Sequence, residues 1–468
     1  MSTLIMKFGG SSVGTTAALT QVLSILIHEA QRWDRLIVVV SALDGVTDAL
    51  IEATHLAQIN NGRGYRRIAA TLRTRHLALI EKLPLGPNER AALSADIDRL
   101  LFDLLNVYQN IANQTPDVIS AELLDTVVGV GEKLAARIVA GLLRQNELRG
   151  VALDTIDLII TDDGFGNAIP NLELTRQRIT ENLLPMLDRQ IIPVLTGFIA
   201  GTKDGKPTTL GRGGSDYTAS ILAMLTRADE VWVWTDVEGI MTADPREIAE
   251  ARAIPELTYD ETAELAYFGA RVLHQRMVAP LRENRVLLRV KNVYKPSQSG
   301  TLISEGTRLP PALRAVTRIQ GIMLAATVSG SITAISALID EVLLETIGVR
   351  TEVMLAAQSS QKTLLSFVIP TSAGMDMGRI VERSLQARLA EQGLERVWTI
   401  QQVTFVTAIG TVFDGGHHMS TRILQALGDI RVLTLGQSPA WCGLSLVVSA
   451  RDGDAALQRI HDLVVSNA

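Results

Sequence analysis

Apolar positions along this chain follow two rhythms. Short runs rich in apolar residues at Leu4–Phe8, Leu36–Val40, Leu158–Thr161, Ile191–Thr196, Glu230–Thr235 and Val286–Lys291 have the length of strands buried on both faces. Between them, apolar residues recur at helical spacing, as in Thr16–Arg32 and Val127–Gln145. The order strand, Gly9-Gly10, helix, strand over Leu4–Val40 is a βαβ unit, which predicts a parallel sheet with a right-handed crossover. From Ala49 to about Asn113 the period is helical, broken only at Asn60–Gly64 and Pro84–Asn88. That stretch, about 49–115, predicts a helical insertion on an α/β sandwich spanning residues 1–304.

Residues 305–314 carry Pro310-Pro311 and predict a linker. Beyond it the rhythm changes. Strands and helices alternate in the order βαββαβ over 315–400, and a second round occupies 401–468. Gln358-Ser359 precedes Leu365–Val368 at the spacing by which Gln437-Ser438 precedes Leu444–Val447, an offset of 79 residues. Two ferredoxin-like modules are predicted. The second runs out near its last helix, so the copies are expected to exchange or share a strand.

Composition narrows the picture. A length of 468 residues suggests about three domains. Aromatic residues are 4% of the chain, so the core is aliphatic, as parallel sheets wrapped by helices require. Net charge is -6 with both signs interspersed, and no basic stripe points to nucleic acid or an anionic membrane. Met1–Gly10 leaves no room for a signal h-region, and no apolar run reaches membrane-spanning length, so a cytoplasmic protein is expected. Cys442 is the sole cysteine, which excludes an internal disulfide framework and reads as a buried strand residue. Of the 44 basic residues only 8 are lysine.

That scarcity bears on Lys7, which closes the first strand just before Gly9-Gly10-Ser11-Ser12. Backbone N–H groups in such a loop converge on anions, and a lysine beside them can neutralise phosphate charge. The bland alternative is a tight turn with an exposed lysine. Thr208–Tyr217 is the strongest local signal: three glycines frame Arg212 and lead into Ser215-Asp216 at a helix start. Arginine can grip a carboxylate with two hydrogen bonds and Asp216 can hold an ammonium, so the loop could read both ends of an amino acid. Its alternative is a Ser-Asp N-cap with a solvated arginine. Thr235–Gly239 follows a strand, at the end where open α/β sheets bind ligands. Asp244-Pro245-Arg246 offers a turn with a further cation. Ser41, Thr47 and Glu132 lie at strand ends or helix openings and could each be caps. His274 and His417-His418 have no carboxylate or cysteine at ligand spacing, so surface or packing roles are expected and no protein metal site.

Together these residues resemble the aspartate kinases. The resemblance runs through Lys7–Val13, Val39–Asp48, Gly131-Glu132, Thr161–Pro170, Gly197–Ile199, Thr208–Tyr217, Trp234–Arg246, Ala266–His274 and Asn292–Ile303, and continues through both C-terminal repeats, which look like ACT domains. It implies an amino-acid-kinase-like αβα sandwich followed by two ACT modules. The implied activity is transfer of the γ-phosphoryl group of ATP, with Mg²⁺, to the side-chain carboxylate of L-aspartate. By similarity, Lys7, Arg212 and Asp216 are catalytic. Ser41, Thr47, Glu132, Phe198, Arg212, Ser215 and Asp216 hold the amino acid, and Lys7, Gly9, Gly10, Ser11, Thr235, Asp236, Met241, Arg246 and Arg271 hold the nucleotide. Met241 stands where the family often has tyrosine, Arg271 where it usually has lysine, and Gln275 where proline is common. ACT modules in this family bind an end-product amino acid, threonine or lysine, and pair between subunits, so a homo-oligomer is expected. Gln358, Ser359, Ser360 and Gln437 fall where effectors bind, and the first of these stretches is more similar to threonine-sensitive relatives. The chain ends at Ala468 without a dinucleotide domain, which implies the monofunctional form. A kinase of the same fold acting on glutamate or acetylglutamate, and a catalytically weak amino-acid sensor, are the competing readings.

Overall fold

The structure is a computed structural model that describes residues 1–114, 118–269, 273–305, 312–326, 332–347, 353–358, 363–368, 377–394, 398–413 and 418–466. By contacts the chain forms two units: 1–240 with 272–305, and 241–271 with 306–468. The segment 241–271, which the sequence places inside the sandwich, thus groups with the C-terminal half.

The first unit opens with β1 (Thr3–Phe8), the one-turn α1 (Gly10–Val13), α2 (Thr16–Ala30) and β2 (Arg35–Val40), the βαβ unit read from the sequence. The helical insertion is α3 (Val46–Gln58), α4 (Gly62–Lys82) and α5 (Pro87–Gln114). Its Leu93, Ile97, Leu101 and Tyr108 share one apolar core with Leu4, Met6 and Val38 of the sheet, so it folds as part of the body. Next come α6 (Ala121–Val128), α7 (Val130–Gln145), β3 (Gly150–Leu153), β4 (Ile160–Thr161), α8 (Leu172–Arg178), α9 (Leu184–Asp188), β5 (Ile192–Thr196), β6 (Ile199–Thr202), β7 (Pro207–Thr209), α10 (Gly214–Thr226) and β8 (Glu230–Thr235). After β9 (Glu256–Thr258) and α11 (Tyr259–Tyr267), which belong to the second unit, the first resumes with α12 (Gln275–Glu283), β10 (Leu287–Asn292) and β11 (Thr301–Ser304).

Its main sheet runs β3-β5-β2-β1-β8-β10-β11, parallel except at β11. Register sets the site. Phe8 pairs with Val40 on one side and Trp234 on the other, and Val40 pairs with Thr196. The residues next along the chain, Gly9, Ser41, Thr235 at the end of β8, and Gly197, are therefore delivered to one edge. A small sheet, β4-β6-β7, lies beside it.

The second unit holds one six-stranded antiparallel sheet, order β13-β14-β12-β15-β17-β16. Its elements are β12 (Leu313–Ala326), α13 (Ile332–Ile347), β13 (Val353–Gln358), β14 (Thr363–Val368), α14 (Met377–Glu391), β15 (Trp398–Gly410), α15 (His418–Leu427), β16 (Thr434–Gln437), β17 (Gly443–Ser449) and α16 (Gly453–Ser466). The two long strands pair along their whole length, from Leu313↔Gly410 to Ala326↔Trp398. Residues 321–326 of β12 also pair with β14, whereas 403–409 of β15 pair with β17. Each long strand thus begins one βαββαβ module with its C-terminal half and completes the other with its N-terminal half. The strand missing from the end of the second repeat is supplied by Leu313–Gln320, part of which the sequence reads as linker. Separate apolar clusters lie under α15 and α16 and under α13 and α14, one per module.

Candidate active site

Lys7, Ser41, Thr47, Glu132, Phe198, Arg212, Ser215 and Asp216, together with Gly211, Gly213 and Gly214, line one cavity of about 270 Å³. The elements that deliver them are the edge formed by β1, β2 and β5, the first turns of α3 and α7, and the loop into α10.

Helix α10 begins at Gly214, four residues before the helical period is evident, and its N-cap is Gly213 in the left-handed region with φ 70° and no side-chain cap bond. Asp216 is therefore no cap. It lies in the first turn, buried, with Oδ1 2.6 Å from Lys7 Nζ. Both side chains are nearly nine-tenths buried, so the pair holds the ammonium in one place. Glu132 does not cap α7 either. Its Oε1 accepts the N–H of Ala42 at 3.2 Å, while Oε2 is buried with no hydrogen-bond partner among the described residues. Burial pushes this carboxyl up to about 7, against the opposing pull of the Ala42 N–H. Arg212 is exposed and has no ion-pair partner among the described residues.

Backbone geometry around the cavity is tight. A Cβ on Gly10 would lie 2.7 Å from the Ala42 carbonyl oxygen, so only glycine lets the turn after β1 approach the loop after β2. Phe198 takes φ 69°, a conformation costing a bulky residue about 1–3 kcal/mol. Its N–H donates to Thr218 Oγ1 at 3.1 Å and its carbonyl accepts from Leu210 N at 2.9 Å, which pins it between β5 and the arginine loop. Ser11 is exposed and Ser12 buried, its hydroxyl donating to the Trp234 carbonyl at 3.1 Å.

Thr235 ends β8 and Asp236 follows it on the same sheet edge. The Thr235 hydroxyl donates to Asp236 Oδ1 at 3.2 Å, and the Asp236 carbonyl accepts from the buried Asn292 side chain at 3.0 Å. Met241 and Arg246 fall in the second unit. Arg246 is exposed and its guanidinium is engaged by Asp244, at 3.0 and 2.5 Å, so it is not the open cation its turn predicts. Arg271, Ser359 and Ser360 lie outside the described residues. Gln358 ends β13, and exposed Gln437 ends β16, its amide donating to the Phe413 carbonyl at 3.4 Å.

Three residues support the site without being among its cavity lining, and two of them, Asp125 and Arg276, carry no signal in the sequence. Asp125 on α6 is buried and accepts from Gly166 N at 2.8 Å, Thr209 N at 2.9 Å and Thr209 Oγ1 at 2.8 Å, tying three segments together. His274 caps α12 and sits against Gly213, where a Cβ would come within 2.1 Å of its ring. Burial lowers its pKa, opposed by the charge of Asp216 and aided by Arg276 and Arg212. Arg276, two residues on, reaches back to the arginine loop. Among the described residues no group of three or more His, Cys, Asp or Glu could hold a metal ion, and no helix is long and apolar enough to cross a membrane.

Residues 2–292 match the amino acid kinase family, and the chain belongs to that family. It is 33% identical over 314 residues to lysine-sensitive aspartokinase 3 of Escherichia coli, covering 67% of this chain and 66% of that protein. It is 27% identical over 474 residues to the chloroplastic bifunctional aspartokinase/homoserine dehydrogenase 1 of Arabidopsis thaliana, covering 98% of this chain and 50% of the relative. The chain spans about half the length of the bifunctional relatives it matches. The crystal structure of E. coli aspartokinase III in complex with aspartate and ADP is similar over 99% of this chain and 100% of that one, with TM-score 0.79 and 27% identity.

Proposed function

We propose that this protein is an aspartate kinase, transferring the γ-phosphoryl group of MgATP to the side-chain carboxylate of L-aspartate to give 4-phospho-L-aspartate and ADP. The observation that carries this reading is one cavity holding a fixed ammonium, Lys7, beside the Arg212 guanidinium, unpaired among the described residues, and the buried Glu132 carboxyl, whose Oε2 has no hydrogen-bond partner among them. The likeness over the full chain to a kinase crystallised with aspartate and ADP supports it. Arg212 takes the α-carboxylate. Asp216 is occupied by Lys7, so the α-ammonium falls to Glu132, with Ser41, Thr47, Phe198 and Ser215 lining the pocket. The side-chain carboxylate is already ionised and needs no general base. One of its oxygens bonds to the γ-phosphorus as the bond from that phosphorus to the β-phosphate oxygen breaks, and ADP leaves. Lys7 and the Gly9 and Gly10 amides neutralise the charge that spreads over the transferring oxygens. Ser11, Thr235 and Asp236 hold the nucleotide. Mg²⁺ enters with ATP, held by phosphates and water. The reaction is cytoplasmic, and the paired modules bind an amino-acid effector, lysine or threonine, through Gln358–Ser360 and Gln437 while joining subunits in a homo-oligomer.

The test is hydroxylamine trapping of the acyl phosphate with MgATP and, in turn, L-aspartate, L-glutamate and N-acetyl-L-glutamate. Hydroxamate from aspartate alone is expected. Hydroxamate chiefly from another acceptor moves the protein elsewhere in the family, and none from any acceptor favours a sensor.

Glu132 makes the reading pH-dependent. A carboxyl raised from 4.5 to about 7 stays protonated in the fold while the unfolded chain ionises, so its contribution to stability declines as pH rises from about 4.5 to 7. Binding runs the other way, because the substrate ammonium needs the ionised form. The kcat/KM for aspartate should rise through pH 7 and level off above it. Glu132→Gln should abolish that inflection and raise the aspartate KM; a pH profile unchanged in this variant assigns the ammonium to another group.

A further inference from the structure

We propose that Arg276 is a positioning residue for acceptor binding: from the first turn of α12 it fixes the loop that presents Arg212. This rests on the reading of Arg212 as the carboxylate anchor. The guanidinium Nη1 donates to Asn167 Oδ1 at 2.8 Å and to the Leu210 carbonyl oxygen. The same group lies over the Tyr217 ring, 5.1 Å from its centroid. It therefore touches the 161–170 loop, the residue two before Arg212 and the first turn of α10, which span both ends of the Gly211–Asp216 segment.

Between those ends the loop has little of its own to hold it. Gly211 and Gly213 sit at φ 74° and 70°, and Gly214 N donates to Gly211 O at 2.9 Å. A Cβ on Gly211 would lie 2.5 Å from Asn167 Oδ1, the atom that accepts from Arg276. The glycine allows the Asn167 side chain to come close, and the arginine locks it there. Asp125 braces the neighbouring strand end at Thr209 and the far loop at Gly166, so Arg276 supplies the restraint on the side of Arg212. Nη1 alone bridges the two oxygens while the guanidinium lies over an aromatic ring, a combination that a planar, delocalised cation suits better than a compact ammonium.

Without this restraint the Arg212 guanidinium is displaced from the substrate carboxylate while Lys7 and the phosphate loop are untouched. Arg276→Met should raise the aspartate KM about 10- to 100-fold, the scale of a misplaced binding group, with the ATP KM unchanged. Arg276→Lys should fall between the two, and serves if the methionine variant folds poorly. The deciding experiment is a double-mutant cycle with Arg212→Ala: a residue acting through Arg212 adds almost nothing once Arg212 is gone. Additive losses, or KM values for aspartate and ATP that rise together, overturn the proposal. If wild-type protein shows no saturable aspartate dependence, the proposed activity fails instead, and the two failures are told apart by the wild-type curve.

Discussion

Lys7→Met should lower kcat by about 10²- to 10³-fold, the loss seen when one preorganised donor to a developing charge is removed. The aspartate KM should stay near its wild-type value, because Lys7 faces the transferring phosphoryl group and Arg212 anchors the amino acid. The variant has a second consequence. Asp216 is left buried without the ammonium 2.6 Å away, and breaking a buried pair costs about 3–5 kcal/mol at most, less here because the pocket admits water. Rate and fold separate in the double variant Lys7→Met, Asp216→Asn, which removes the orphaned charge. Its thermal midpoint should recover towards wild type while kcat stays low. If kcat recovers as well, Lys7 serves the fold and the phosphate is neutralised by another group.

The second large effect falls on Arg212. Its guanidinium is exposed and unpaired among the described residues, so no hydrogen bond or ion pair to them is lost when it is truncated. Arg212→Ala should therefore leave the thermal midpoint unchanged. A bidentate charge-assisted interaction contributes about 1.5–3 kcal/mol, so the aspartate KM should rise roughly 10- to 150-fold with the ATP KM unmoved. Steady-state kinetics with each substrate varied in turn reads this directly. Equal rises in both KM values would show that the arginine gathers phosphate.

Much of this site is legible along the chain because its parts are punctuation. Lys7 and Gly9-Gly10, the glycine-framed Arg212 and the polar residues after strands stand out wherever an apolar run stops, and a parallel sheet delivers strand ends to one edge. What the residues cannot reveal alone is pairing between them. Asp216 reads as a partner for the substrate ammonium, yet it faces Lys7, because β1 and α10, more than 200 residues apart, pack face to face. Asp125 reads as one polar position on a short amphipathic helix, and Arg276 as one cation among 36 arginines. Both acquire their meaning from loops distant in sequence.

The C-terminal half shows the same boundary. The repeat is visible because two modules carry the same apolar pattern, and a missing last strand follows from counting. Its donor, Leu313–Gln320, is hidden by the prolines before it and by its length: β12 is one continuous strand that serves two modules. Likewise Gly129 stands between α6 and α7, and a Cβ there would come within 2.8 Å of Ile199. Local period carries no trace of that close approach.

The most direct test of the central claim is hydroxylamine trapping with purified protein, MgATP and L-aspartate. Aspartyl hydroxamate should accumulate in proportion to the ADP formed and disappear when aspartate is omitted. Folded protein that yields no hydroxamate above background, or yields it from glutamate or N-acetylglutamate in preference, contradicts assignment of this cavity to aspartate phosphorylation.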